Sequence, residues 1–136
     1  MTTIKDKFKA KADITSAEVK DIVKNYGDRI IGEVKLSQIY QGMRGMTGLV
    51  TETSLLDAQE GIRFRGYSIP ELQKKLPKAE GGNEPLPEGL FYLMLIGELP
   101  TNEDAQNMTN VWQRRSHVPN FVFDTIEALP ETAHPM

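Results

Sequence analysis

The residue whose setting best suits binding chemistry is Arg44, which lies among closely spaced glycines. Gly42, Gly45 and Gly48 recur at every third position around it. Glycine adopts backbone conformations that other residues avoid, and it lets a ligand approach the chain closely. The arginine guanidinium matches a phosphate or a carboxylate with two parallel hydrogen bonds. Arg44, held out from a tight glycine turn, is therefore a candidate contact for an anion.

The same spacing also has a purely structural interpretation. Glycine-rich segments are typical of tight turns, and Arg44 in such a turn would face solvent or pair with a nearby carboxylate. The sequence contains neither a P-loop nor a dinucleotide-binding glycine motif, which would have favoured phosphate binding independently. The spacing leaves both interpretations of Arg44 open.

A second pair of arginines, Arg63 and Arg65, alternates along a predicted strand. Residues two apart on a strand face the same side of the sheet, so this pattern places both guanidinium groups together. Acids such as Glu52 and Asp57 are close in sequence. We interpret this pair as partners of those acids rather than as a ligand site.

The sequence offers little for acid–base or metal chemistry. It has no cysteine, which excludes disulfides, thiolate catalysis and cysteine-bound metals. Its two histidines, His117 and His134, lie on different predicted elements, and we interpret them as structural or surface residues. We therefore predict no catalytic residue and no metal site in this chain.

Length and charge exclude several classes of protein. A chain of 136 residues is long enough for one domain with a core. A net charge of -3 gives no general attraction to nucleic acid. The longest apolar run, Leu90–Ile96, is too short to span a bilayer, and the N-terminus resembles neither a signal nor a transit peptide. We expect a soluble chain that binds neither nucleic acid nor membrane.

The candidate residues must be positioned by a mainly α chain of four or five helices with one small β-hairpin. Thr15 and Glu18 form a capping box before an apolar stripe that stops at Gly27, which predicts a helix there. Residues 1–14 are predicted to be loosely ordered or a separate short helix. An extended segment or small hairpin is predicted over Arg29–Leu36. Later helices are predicted from capping residues and prolines at Ser68, Pro87, Thr101 and Asn120.

The hairpin and one unusual helix complete the prediction. Leu49–Leu55 and Ile62–Tyr67 have the composition of two strands joined across Leu56–Gly61. Leu90–Ile96 is apolar on every side of its helix, which is typical of a helix inside a larger protein. We therefore expect that few other segments of this chain are available to cover this helix.

Three runs of the sequence closely resemble the citrate synthase family, in its mitochondrial-type branch, which some bacteria also carry. They are GMRGMTGLVTETSLLDAQEGIRFRGYSIPEL at 42–72, EPLPEGLFYLMLIGELPT at 84–101 and HPM at 134–136. The resemblance extends from about Ile30 to Met136 and, more weakly, over the first predicted helix. It implies that residues 1–136 are the N-terminal part of the family's mostly helical large domain, within a homodimer.

The resemblance also implies an activity. The family condenses acetyl-CoA with oxaloacetate to give citrate and CoA, with acetyl-CoA as substrate and no cofactor. By this resemblance Arg44 is a contact for the CoA phosphates. The family's catalytic histidines and aspartate are expected outside these residues, so neither His117 nor His134 receives a catalytic role.

Three hypotheses follow, together with a location. The first is an N-terminal segment of a citrate synthase, inactive as an isolated chain, from the bacterial cytoplasm or the mitochondrial matrix. The second is a structural module that self-associates through exposed core helices, which a large uncovered apolar patch would favour. The third is a free-standing binder of CoA or nucleotide phosphate that uses Arg44.

Overall fold

Six helices and a three-stranded antiparallel sheet form the regular structure of residues 3–134, the part of the chain that the computed structural model describes. The helices are α1 (Ile4–Tyr26), α2 (Leu36–Tyr40), α3 (Ile69–Lys75), α4 (Pro87–Ile96), α5 (Asn102–Arg115) and α6 (Asn120–Glu127). The strands are β1 (Ser54–Asp57), β2 (Gly61–Phe64) and β3 (Tyr67–Ser68), in that order across the sheet. The predicted mainly α fold is confirmed, with more helices than the four or five expected.

Helix α1 begins at Ile4, and the prediction of a start at Thr15 was wrong. Thr3 and Asp6 form the capping box: the Thr3 hydroxyl accepts the Asp6 N–H at 3.2 Å, and the Asp6 carboxylate accepts the Thr3 N–H at 3.0 Å. The hydrogen bonds from Thr3 lower the pKa of Asp6. Lysine and alanine, which dominate residues 5–12, favour the helix. Residues 4–14 therefore continue directly into the predicted helix.

Lys7 attaches α1 to α4 and α5. Its ammonium donates to the Asp104 carboxylate at 2.6 Å and to the Tyr92 hydroxyl at 2.9 Å. These hydrogen bonds, that to Asp104 first, raise the pKa of Lys7. Burial raises the pKa of Asp104, but hydrogen bonds from Lys7 and Thr101 outweigh it and leave that pKa below its ordinary value. The pair is therefore charged across the neutral pH range.

Helix α4 supplies core residues to two separate clusters. In the first, Leu93, which is 0% exposed, packs with Leu72 and Leu76 of the α3 region. In the second, Tyr92 and Ile96 pack with Met108 of α5. Partly buried side chains from the sheet, α1, the α4–α5 connection and α4 itself extend these clusters, namely Ile4, Phe64, Tyr67, Leu90, Leu95 and Leu99. The two clusters cover adjacent parts of one broad side of α4, and Phe91 on the other side stays 45% exposed.

The hairpin is confirmed, but its first strand begins later than predicted. Ser54 pairs with Phe64 and Asp57 pairs with Gly61. The Asp57 carboxylate accepts the N–H groups of two turn residues, Gln59 and Glu60, both at 2.8 Å, and so stabilises the turn. Residues 49–53 lie outside the sheet, because β2 ends at Phe64, the partner of Ser54. Residues 29–35 form no hairpin and belong to no strand, so of the two predicted alternatives only an extended segment remains, and Leu36 already begins α2.

Most predicted helix ends are confirmed. The capping boxes at Ser68 and Thr101 are formed, Pro87 opens α4, and α1 ends at Gly27. Asn120 does not cap α6 as predicted, because Pro119 occupies the capping position and Asn120 is the first helical residue. Proline has a fixed φ near that of a helix, which suits it to this boundary.

Two amphipathic faces have no cover from the described residues. On α1, the stripe of Val19, Ile22, Val23 and Tyr26 is 53–61% exposed. On and just after α6, four large apolar side chains are more than half exposed, namely Phe121, Phe123, Ile126 and Leu129. Contact with residues outside 3–134 or with another chain would remove this apolar surface from water.

Replacing Lys7 by Met is expected to lower the free energy of unfolding by about 1 kcal/mol, because the variant loses a charge-assisted but partly solvated hydrogen bond. Urea unfolding of this variant measures the loss. Lys9→Met is the matched control, since Lys9 is exposed on the same helix. Equal midpoints for the two variants would contradict the role of Lys7.

The Lys7 contribution should also depend on pH. Lys7 has a raised pKa, so its contribution is complete below about pH 10. Asp104 has a lowered pKa, so its contribution is complete above about pH 4 and disappears as the pH falls further. The difference in unfolding free energy between the wild type and Lys7→Met should therefore be constant near neutrality and shrink in acid.

Candidate anion-binding site at a glycine turn

The chain leaves α2 through a turn with several residues in the left-handed backbone region. Gly42, Met43 and Gly45 have φ values of 70°, 62° and 73°. For Met43 this conformation costs about 1 kcal/mol, whereas glycine adopts it freely. The Met43 N–H donates to the Gln38 carbonyl at 2.8 Å and helps to offset that cost. The predicted tight turn is confirmed.

Arg44 lies in the middle of this turn and is exposed. Within residues 3–134 its guanidinium makes no hydrogen bond and no ion pair. The interpretation in which Arg44 pairs with a neighbouring carboxylate is therefore not the arrangement in this structure. The whole planar group remains available to an anion from solvent.

Gln38 links α2 to the turn, although no pattern in the sequence indicates such a role for it. Its side-chain oxygen accepts the N–H of Lys35 at 2.8 Å, and its side-chain nitrogen donates to the Arg44 carbonyl at 3.4 Å. Gln38 is half-buried although every other residue of α2 is exposed. The Gln38 amide thus adds a side-chain link to the backbone hydrogen bonds that already join α2 to the turn.

Arg65 serves the structure rather than a ligand site. Its guanidinium donates to the Met94 carbonyl at 2.7 and 3.2 Å and pairs with Glu52 at 3.3 Å, and its side chain is only 15% exposed. Met94 lies in the last turn of α4, where carbonyls lack helical partners. Arg65 therefore completes the end of that helix. The predicted pairing with Glu52 is confirmed.

Arg63 does not share a surface with Arg65 as predicted. Strand β2 ends at Phe64, and Arg65 has a φ of 47°, which turns its side chain away from the strand pattern. Arg63 instead pairs with Glu60 at 2.9 Å and donates to the Gly66 carbonyl at 3.0 Å. Glu60, rather than the suggested Asp57, is its close partner.

Both histidines lie away from the glycine turn along the chain. His117 is exposed in the connection between α5 and α6, and His134 follows α6 at the end of the described residues. Among residues 3–134, no group of three or more His, Cys, Asp or Glu side chains is placed to hold a metal ion. None of the helices there is long and apolar enough to cross a membrane.

The best-formed cavity, about 270 Å³, lies where α1 meets α4 and α5. Lys7, Tyr92 and Asp104 line it together with Met108 and Arg114. Its charged lining already forms the Lys7–Asp104 pair, and Arg44 is not among its lining residues. The glycine turn is thus a surface site rather than part of this cavity.

A protein-family model described as "Citrate synthase, C-terminal domain" matches residues 42–136. The match covers more than half of the chain and begins at the first glycine of the turn. The chain belongs to the citrate synthase family. The resemblance seen in the sequence is thereby confirmed, and it places Arg44 inside the matched region.

Curated relatives agree with this assignment. The chain is 48% identical to the mitochondrial citrate synthases of Aspergillus niger and Saccharomyces cerevisiae, each over 134 residues that make up 98% of the chain and 28% of the relative. It is also 48% identical to the mitochondrial 2-methylcitrate synthase of Yarrowia lipolytica, over 98% of the chain and 29% of that relative. The chain thus spans less than a third of the length of these relatives.

These matches also bear on how far the similarity extends along the chain and on where the chain lies within its relatives. Because they cover 98% of the chain, the similarity extends well before Ile30 and includes most of α1. The family description names a C-terminal domain, whereas the sequence resemblance implied the N-terminal part of the large domain. The matches give no position within the relatives, so that placement of residues 1–136 stays a prediction.

Replacing Arg65 by Met should lower the free energy of unfolding by about 1–3 kcal/mol, because the Met94 carbonyl loses its donor in a partly buried place. Thermal or urea unfolding measures this loss. Arg115→Met is the control, because Arg115 is exposed at the end of α5. A loss no larger than that of the control would show that water can replace Arg65 as the donor to the Met94 carbonyl with no loss of stability.

Proposed function

We propose that this chain is the N-terminal part of the large domain of a citrate synthase that condenses acetyl-CoA with oxaloacetate. Family membership supports the reaction class, and the names of the Aspergillus and Saccharomyces relatives support citrate as the product. The enzyme needs no cofactor in this proposal, because acetyl-CoA is the substrate that carries the acyl group.

Within that enzyme Arg44 contacts the CoA phosphates. The observation that carries this role is its exposed guanidinium, unpaired within residues 3–134, on a left-handed turn in the region that matches the family. A guanidinium binds phosphate oxygens through short charge-assisted hydrogen bonds. One exposed ion pair gives little affinity alone, so the rest of the CoA site must come from other residues.

The condensation chemistry is assigned to residues outside this chain. The reaction needs a base to remove a proton from the acetyl methyl group and acids to polarise the carbonyl groups. Within residues 3–134 no carboxylate pairs with Arg44, and the family resemblance assigns the catalytic histidines and aspartate to positions outside this chain. We therefore expect the 136-residue chain alone to be inactive.

The Yarrowia relative supports a second acyl donor. It is as similar to this chain as the citrate synthases are, and its named product carries one more methyl group than citrate. A donor with a three-carbon acyl group would account for that methyl. Parallel assays with acetyl-CoA and propionyl-CoA distinguish the two, and a faster rate with propionyl-CoA would overturn citrate as the main product.

The partners and location follow from the same proposal. A homodimer would cover apolar faces such as the α1 stripe of Val19, Ile22, Val23 and Tyr26. The names of the relatives place those proteins in mitochondria, which favours the mitochondrial matrix over the bacterial cytoplasm. We propose no nucleic acid and no membrane as partners.

Replacing Arg44 by Ala in the full-length enzyme should raise the Michaelis constant for acetyl-CoA about 5- to 30-fold, the effect of losing a charge-assisted hydrogen bond worth about 1–2 kcal/mol. The Michaelis constant for oxaloacetate should change little. Steady-state kinetics measures both constants, and Arg115→Ala is the control for loss of a surface charge. An unchanged constant for acetyl-CoA would remove Arg44 from the CoA site.

A further inference from the structure

We propose that Gln38 is a positioning residue for Arg44, which it holds through the backbone of the glycine turn. This inference rests on the proposed function of Arg44 and adds to it the group that fixes its place. Gln38 does not touch substrate in this proposal. It acts on the anion only through the turn that carries Arg44.

The Gln38 side-chain amide links the backbone just before α2 to the backbone of Arg44. Its oxygen accepts the Lys35 N–H at 2.8 Å, immediately before α2, and its nitrogen donates to the Arg44 carbonyl at 3.4 Å. The backbone carbonyl of Gln38 accepts the Met43 N–H at 2.8 Å. One residue therefore contacts the chain before α2, the turn itself and the residue that carries the guanidinium.

The turn needs such an external support because its own sequence does not select one conformation. Glycine populates positive and negative φ about equally, and the turn has glycines on both sides of Met43 and Arg44 at positive φ. Helix α2 has only five residues, none of them buried. Packing therefore contributes little, so the turn depends on hydrogen bonds. Backbone bonds such as that of the Gln41 N–H to the Ser37 carbonyl at 3.0 Å hold its start, and the Gln38 side chain adds the bond to the Arg44 carbonyl.

A well-ordered turn should raise the affinity of Arg44 for the anion. A side chain that is already held in place loses less conformational freedom on binding, so less of the interaction energy is spent on ordering. Without the Gln38 amide, Arg44 keeps its charge but samples more positions. The Michaelis constant for acetyl-CoA should therefore change. The rate of the chemical step, which residues elsewhere carry out, should not.

Two substitutions separate the two ends of the amide. Gln38→Glu keeps an oxygen for the Lys35 N–H but replaces the donor to the Arg44 carbonyl with an acceptor. Gln38→Ala removes both groups. Gln41→Glu is the matched control, because Gln41 is exposed at the start of the same turn and its substitution introduces the same charge near Arg44.

In the full-length enzyme, Gln38→Glu and Gln38→Ala should each raise the Michaelis constant for acetyl-CoA about 3- to 10-fold relative to Gln41→Glu, the fold-change expected for one hydrogen bond. The turnover number and the Michaelis constant for oxaloacetate should stay the same. In an Arg44→Ala background neither substitution should have a further effect, because Gln38 acts through Arg44. Equal constants for Gln38→Glu and Gln41→Glu, or an undiminished effect in that background, would overturn the proposal.

Hydrogen exchange gives a second measurement that does not depend on activity. The Lys35 amide should exchange slowly in the wild type and in Gln38→Glu and quickly in Gln38→Ala. Equally fast exchange in all three would show that the amide makes no bridge and would overturn the proposal. If Arg44→Ala alone leaves the constant for acetyl-CoA unchanged, the proposed function of Arg44 fails, whatever the exchange data show for Gln38.

Discussion

The burial of one broad side of helix α4 by two neighbouring clusters is the constraint on which the rest of the described structure depends. One cluster packs the helix against α3 and the sheet through Leu93, and the other packs it against α5 and α1 through Tyr92 and Ile96. Long-range polar anchors also reach this helix: Lys7 binds the Tyr92 hydroxyl, Arg65 binds the Met94 carbonyl, and the Thr109 hydroxyl donates to the Glu88 carboxylate. Apolar burial sets the position of α4, and these anchors fix which neighbours surround it.

The glycine turn is ordered by a different kind of interaction. It lies outside both apolar clusters, and its support comes from backbone conformation and from the Gln38 amide. This separation has a physical reason. A site that must offer an arginine to an anion keeps that arginine in water, where burial cannot hold it, so local hydrogen bonds have to do so.

Local sequence signals predicted much of this structure. The capping boxes at Ser68 and Thr101, the proline at the start of α4 and the glycine turn around Arg44 depend on residues within a few positions of one another, and all are present. The start of α1 was missed because Thr15 and Glu18 have the residue types and spacing of a capping box but lie inside the helix. The helix itself begins at the capping box of Thr3 and Asp6. Gln38 was missed because nothing about a single glutamine indicates two hydrogen bonds to the backbone. The pairing of Arg63 was misjudged because the left-handed residue Arg65 ends the alternation of the strand.

The capping of α4 by Arg65 has a consequence for the order in which the chain folds. The Leu93 carbonyl accepts the backbone N–H of Gly97, which is close in sequence. The Met94 carbonyl instead accepts the guanidinium of Arg65, 29 positions earlier in the chain. A bond between such distant positions forms only after the intervening segment has closed into a loop, which costs chain entropy. The Arg65 cap on the last turn of α4 therefore depends on docking of the hairpin, and unfolding of the hairpin would leave the Met94 carbonyl without this donor.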